Sequence, residues 1–155
     1  VVSLESTAAG TAAALGQTLA VDFATDIRIT MGIQLKGRSS GRVQVLFWNT
    51  ELLPVMDVVA EDLSGFVFNT DANGFVQIST SITGPNLNAG KYNLSVIVLG
   101  DDDTVLCRHD GALSVNVSAH SGSGAHVLKV AEWSVDTHSV GNELPPSTLK
   151  TGHSK

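Results

Sequence analysis

From Ile27 to Leu35 every odd position is apolar (Ile27, Ile29, Met31, Ile33, Leu35), and the even positions between them are Arg28, Thr30, Gly32 and Gln34. Side chains of an extended chain point alternately to two faces, so a period of two gathers the five apolar groups on one side. A helix, with its period of 3.6, would scatter them. The same alternation recurs in Leu19-Val21-Phe23, Val43-Val45-Phe47, Val76-Ile78, Tyr92-Leu94-Val96-Val98 and Leu113-Val115-Val117. Clusters of Gly, Asp, Asn, Pro and Ser separate most of these segments, at 37–41, 71–74, 84–86, 88–90 and 100–103. A last short strand is expected near Val127 to Val130, after a Gly/Ser-rich loop running from His120 to His126. The alanine-rich stretch from Ala8 to Leu15 has the composition for a helical turn, but Gly10 and Thr11 interrupt it and no apolar stripe develops, which disfavours a helix there. Seven or more short strands with polar turns predict an all-β chain, an antiparallel β-sandwich of jelly-roll or immunoglobulin-like kind.

Size and composition narrow the function. A chain of 155 residues is the size of one domain. The apolar segments end early, so residues 1–135 are assigned to the sandwich. Residues 136–155, poor in apolar groups and carrying Pro145-Pro146, are expected to form a flexible C-terminal tail. With 43% hydrophobic and 15% charged residues the chain is composed like a folded domain. Its net charge of −6 gives no basic footprint for nucleic acid or an anionic membrane surface. Cys107 is the single cysteine, so no internal disulfide forms, and neither a secretory signal nor an apolar run approaching ~20 residues is present. These features point to the cytoplasm. The chain opens on Val1 and not on methionine, which is read as a piece of a longer protein.

A hairpin reading of the stretch from Ile27 to Thr50 yields a candidate site. With Gly37 to Gly41 as its loop, Leu35 faces Val43, Ile33 faces Val45 and Met31 faces Phe47, and all the apolar groups share one face. The opposite face then pairs Gln34 with Gln44, Gly32 with Leu46, Thr30 with Trp48 and Arg28 with Thr50. A pyranose ring carries a face of C–H groups that packs on an aromatic ring, and its hydroxyl rim needs planar donors and acceptors. Trp48, Arg28, Thr30, Gln34, Gln44 and Arg42 are therefore the candidate carbohydrate-binding residues. Burial of Trp48 under a second sheet, another strand or a partner subunit is the alternative.

Other clusters carry less. In Cys107-Arg-His-Asp110 neighbouring side chains point to opposite faces of a strand and form no triad; His109 and Asp110 are expected to end a strand and cap the turn before Gly111, with a ligand contact as the alternative. Asp101-Asp102-Asp103 reads as a solvated hairpin turn in preference to a calcium site. His120, His126 and His138 match no zinc spacing. Asn93-Leu-Ser95 and Asn116-Val-Ser118 fit the glycosylation pattern, which has no meaning in a cytoplasmic chain. With no phosphate loop and no nucleophile elbow, no catalytic residue, metal or cofactor is assigned, and the chain is read as a non-enzyme.

Three segments in order, "GPNLNAGKYNLSVIVLG" (84–100), "RHDGALSVNV" (108–117) and "VLKVAEW" (127–133), resemble the C-terminal carbohydrate-binding domain of Wzt, the ATP-binding subunit of the O-antigen polysaccharide exporter. Upstream, "LGQTLAVDFATD" (15–26) is similar to that family's second strand. The resemblance implies a jelly-roll sandwich that forms a homodimer in the cytoplasm at the inner membrane. It further implies binding of the O-antigen glycan, often at its modified non-reducing end, within a transporter whose nucleotide-binding and membrane subunits are its partners. Any ATPase activity would then belong to a separate domain. The segment from Asn49 to Asn69 matches the family poorly, so no site residue is carried over there. Gly90 and Tyr92 correspond to a turn glycine and a corner tyrosine, and Trp133 to a residue packed on the sandwich. If the bound glycan ends in an acidic sugar, Arg28 or Arg42 is the expected carboxylate partner. A structural or assembly role, as in a capsid, pilus or adhesin subunit, is the competing reading, with the same face serving as a protein interface.

Overall fold

The computed structural model describes residues 1–23, 25–61, 65–118 and 127–135, with 127–130 described by backbone alone. Twelve strands run through these residues: β1 (Ser3–Ala8), β2 (Thr11–Ala14), β3 (Thr18–Asp22), β4 (Ile27–Gln34), β5 (Ser40–Trp48), β6 (Pro54–Val59), β7 (Phe66–Asn69), β8 (Phe75–Ile82), β9 (Gly90–Leu99), β10 (Val105–Ser118), β11 (Val127–Val130) and β12 (Glu132–Val135). One sheet has the order β12-β8-β4-β1-β2. The other runs β11-β6-β5-β9-β10-β3, with β7 paired to β5 alongside β6. The two sheets pack face to face as a β-sandwich. Most pairs are antiparallel, but β3 joins β10, and β11 joins β6, in parallel. No helix occurs among the described residues, so none is long and apolar enough to cross a membrane.

The alternation read from the sequence sets the core. Ile27, Ile29, Met31 and Ile33 of β4 face Val43, Val45 and Phe47 of β5 and Leu94, Val96 and Val98 of β9 across the sandwich, and all are sealed from solvent. Each such side chain contributes about 1.5–3 kcal/mol relative to leaving it in water. Phe68, Ile78, Ile82, Leu113 and Val115 complete the same cluster. Tyr92 makes the expected corner: its hydroxyl donates to the Asn88 carbonyl at 2.8 Å, while the ring is buried. Gly90, at a φ of 153°, holds the turn before it. At the sandwich edge Trp133 of β12 stacks on Phe66 of β7, with centroids 5.0 Å apart and planes within 5°. Its indole N–H donates to the Val59 carbonyl at 3.1 Å, so this residue ties one sheet to the other.

The hairpin reading of Ile27 to Thr50 is overturned. β4 pairs with β1 and β8, whereas β5 pairs with β6, β7 and β9, so the two strands lie in different sheets. The segment 35–39 is a crossover between sheets, running beside a second crossover at 70–74 through the bonds Leu35 N to Gly74 O (2.8 Å) and Thr70 N to Ser39 O (2.8 Å). Leu35 therefore does not pair with Val43, nor Ile33 with Val45, nor Met31 with Phe47. Gly32 does not open space beside Leu46; it pairs with Ser3 and Gln77, and a Cβ there would meet the Ser3 hydroxyl and lie 3.1 Å from the Phe75 ring.

One further reading changes. His109 and Asp110 do not end a strand, since β10 continues to Ser118 through a bulge between His109 and Leu113 in which Gly111 takes a φ of 66°. The stretch from Ala8 to Leu15 is a hairpin turned by Ala9 and Gly10, both with positive φ. The acidic run 101–103 does form the β9–β10 turn, closed by Asp103 N to Gly100 O at 3.1 Å. The His120–His126 loop and the tail from residue 136 lie outside the described residues.

Candidate functional site

The crossover from β4 to β5 divides the six candidate residues. Arg28, Thr30 and Gln34 point out from the five-stranded sheet, while Arg42, Gln44 and Trp48 point out from the seven-stranded one, with the core between the two sets. One sugar unit cannot touch both. Thr30 and Gln34 also have local partners: the Thr30 and Ser79 hydroxyls are hydrogen-bonded at 3.0 Å, and the Gln34 amide donates to the Asn73 carbonyl at 2.7 Å. Arg42 is paired with Asp103, so it braces the β9–β10 turn against β5.

What the fold gathers instead is a patch on the outer face of β6, β5, β9 and β10. Pairing sets Leu46 between Asp57 and Ser95, and Trp48 between Pro54 and Asn93. Across β9, Ile97 pairs with both Gln44 and Arg108, and Asn93 pairs with Ser114. Ser114 donates its hydroxyl to the Asn93 amide oxygen at 3.1 Å. β10 reaches this face because Arg108 and Asp110 are two residues apart and share an orientation.

The patch is electrostatically ordered. The Arg108 guanidinium lies over the Trp48 ring, 5.5 Å from its centroid, a cation–π contact. The same guanidinium donates its Nε–H to both oxygens of Asp110, at 2.8 and 3.0 Å. Asp110 also accepts from the Ser95 hydroxyl at 2.7 Å. The Ser95 bond first, and then the Arg108 bond and charge, hold the Asp110 carboxyl below the usual carboxylate range. Asp57 is shifted the other way: burial pushes its carboxyl up, and the bond donated by the Gln44 amide at 2.7 Å only partly opposes this.

Two polar atoms of this patch are sealed from solvent and have no hydrogen-bond partner: Trp48 Nε1 and Asp57 Oδ1. A buried donor or acceptor left unmade costs about 1–3 kcal/mol, so each calls for a reason. One is a donor and the other an acceptor, and they belong to neighbouring positions on one face. Parity places Trp48 and Gln44 on this face, and Asp110 is weighed in the sequence as a ligand contact, but Asp57, Asn93 and Arg108 are missed. Of their faces, those of Asp57 on β6 and of Arg108 before the β10 bulge lacked clean alternation, and that of Asn93 was legible in β9. Their adjacency was not, because it depends on which strands pair.

Among the described residues no group of three or more His, Cys, Asp and Glu side chains is placed to hold a metal ion. Cys107 is a half-buried free thiol. No known family model and no curated protein sequence matches this chain.

Proposed function

We propose that this domain is a non-catalytic carbohydrate-binding module whose recognition face is the Trp48–Arg108 patch of the seven-stranded sheet. The observation that supports the reading is the pair of unpartnered atoms, Trp48 Nε1 and Asp57 Oδ1, beside an aromatic ring. A sugar hydroxyl both donates and accepts, so one polyhydroxylated ligand supplies an acceptor for the indole and a donor for the carboxylate. Entry requires the half-exposed Arg108 side chain to swing off the indole, opening the ring face for stacking and presenting the guanidinium to the ligand. Arg108 replaces Arg28 and Arg42 as the partner for a carboxylate on an acidic sugar. Affinity per site is weak, in the millimolar to micromolar range, because sugar–water bonds are exchanged for sugar–protein bonds on a shallow face.

The ligand we infer is O-antigen polysaccharide, bound at its modified non-reducing end. The domain then acts as the chain-selecting part of an ABC exporter, as a cytoplasmic homodimer at the inner membrane in which bivalency strengthens binding. The ordered segments 84–100, 108–117 and 127–133 support this assignment through their resemblance to the Wzt domain. The test is titration with long-chain O-antigen from the organism that encodes the chain, followed by tryptophan emission. Saturable binding of that polymer and not of an unrelated one, lost in a folded Trp48→Ala variant, supports the reading; binding of neither polymer overturns it.

One feature favours the assembly reading. The β5–β6 turn displays Leu52 and Leu53, 74% and 48% exposed, with Leu52 at a φ of 62° beside the Trp48 end of β5. Growth into large oligomers with rising concentration, abolished by Leu52→Asn/Leu53→Ser, would move this face to a protein interface.

A further inference from the structure

A second feature lies at the open edge of the sandwich, away from the Trp48 patch. Among the described residues, a cleft of about 610 Å³ is lined by Glu61, Phe66, Val67, Glu132 and Trp133, together with Ala60, Gly65 and Ala131. That volume falls within the range of small-molecule sites. The aromatic wall is rigid, since Phe66 and Trp133 stack on each other and the Trp133 indole N–H is fixed to the Val59 carbonyl. Because that donor is engaged, the described side chains of the cleft present aromatic surface and two exposed carboxylates, Glu61 and Glu132, and no side-chain donor.

This composition discriminates between ligands. A neutral sugar needs donors as well as acceptors from its site, and an anion would meet two carboxylates. A group that only donates and carries positive charge satisfies both glutamates and is attracted to the face of an aromatic ring. We infer that the cleft is a binding site for an organic ammonium group, presented by an amino sugar or by a quaternary ammonium head. The ring pair needs no reorganisation on binding, which lowers the cost of ordering. The site is independent of the Trp48 face, because Phe66 and Trp133 turn toward the interior edge of the sandwich.

The experiment follows the indole N–H resonance of Trp133, identified by its loss in Trp133→Phe, while the intact chain is titrated at pH 6 with glucosamine, choline and glucose. The expected result is a saturable shift with glucosamine or choline and at least ~10-fold weaker binding of glucose, an advantage within the reach of a partly desolvated cation–π and carboxylate site. A response to glucosamine alone identifies an amino-sugar site and a response to choline alone a quaternary-ammonium site. The double variant Glu61→Gln/Glu132→Gln keeps side-chain shape at exposed positions, and Phe66→Leu keeps an apolar wall without the ring; each should weaken cation binding at least ~5-fold in a folded protein. Equal binding of glucose and glucosamine, no shift with either cation at concentrations of ~50 mM, or full binding by the glutamine variant overturns the inference.

Discussion

Individual residues carry costs that mutation exposes. Ala9 sits at a φ of 47° in the two-residue turn before Gly10, a position at which Asn or Gly is preferred. An L-residue with a Cβ in this region costs roughly 1–2 kcal/mol, less for Asn, whose side chain bonds locally. Ala9→Asn should therefore raise unfolding stability by about 0.5–1 kcal/mol in denaturant titrations, and an unchanged or lower midpoint would refute the turn geometry. Asp57 holds a cost of a different kind. Burial raises its carboxyl above the ordinary value of 3.8, so the folded state binds that proton more tightly than the unfolded chain. Stability tied to this group is present in acid and is lost as pH rises from the unfolded value through the raised folded one. Relative to the native chain, Asp57→Asn should gain stability between pH 3.8 and neutrality while losing affinity for the proposed glycan ligand. A stability difference that stays flat across that interval would show that the carboxyl is not held in a dry environment.

At the scale of strands, the parity of each alternating segment was legible and its partners were not. Ile27 to Gln34 is a strand with the predicted inward face, and the segments around Val43, Val76, Tyr92 and Leu113 lie within β5, β8, β9 and β10. The hairpin register keeps every apolar group on one side. A crossover between packed sheets does the same, since both strands turn their apolar residues toward the shared core. Parity therefore could not separate the two arrangements, and the site residues drawn from the far side of that hairpin fell on opposite surfaces. β1, β2, β6 and β7 escaped notice because they are short and lack clean alternation. β1 and β7 have partners distant in sequence, Ser6 against Ile29 and Val67 against Arg42, while β2 and β6 pair with the strands just before them. Sheet membership has a direct chemical test. In a Cys107→Ser background, Thr30→Cys/Ser79→Cys should form a disulfide readily, because these side chains already touch on adjacent strands. Thr30→Cys/Trp48→Cys should not. The reverse outcome would restore the hairpin.

Among the described residues the molecule presents two chemically distinct outer faces, and that of the seven-stranded sheet combines an aromatic ring with unmet polar atoms. The five-stranded sheet shows Arg28, Thr30, Gln34, Gln77 and Ser79 without a tryptophan, whereas the seven-stranded sheet shows Trp48, Asp57, Asn93 and Arg108. The all-β class and the inward core were available from the sequence because they follow from local alternation and turns. The composition of the proposed recognition face was not, because it depends on the long-range pairing of β5 with β9, which joins the β5–β6 and β9–β10 pairs. The most direct measurement is a map of backbone amide shifts during titration with the O-antigen polysaccharide. The account predicts saturable changes clustered on β5, β6, β9 and β10 around Trp48, Asp57, Asn93 and Arg108, with β1, β4 and β8 unmoved. Changes centred on Arg28, Thr30 and Gln34, with the Trp48 face silent, would contradict it.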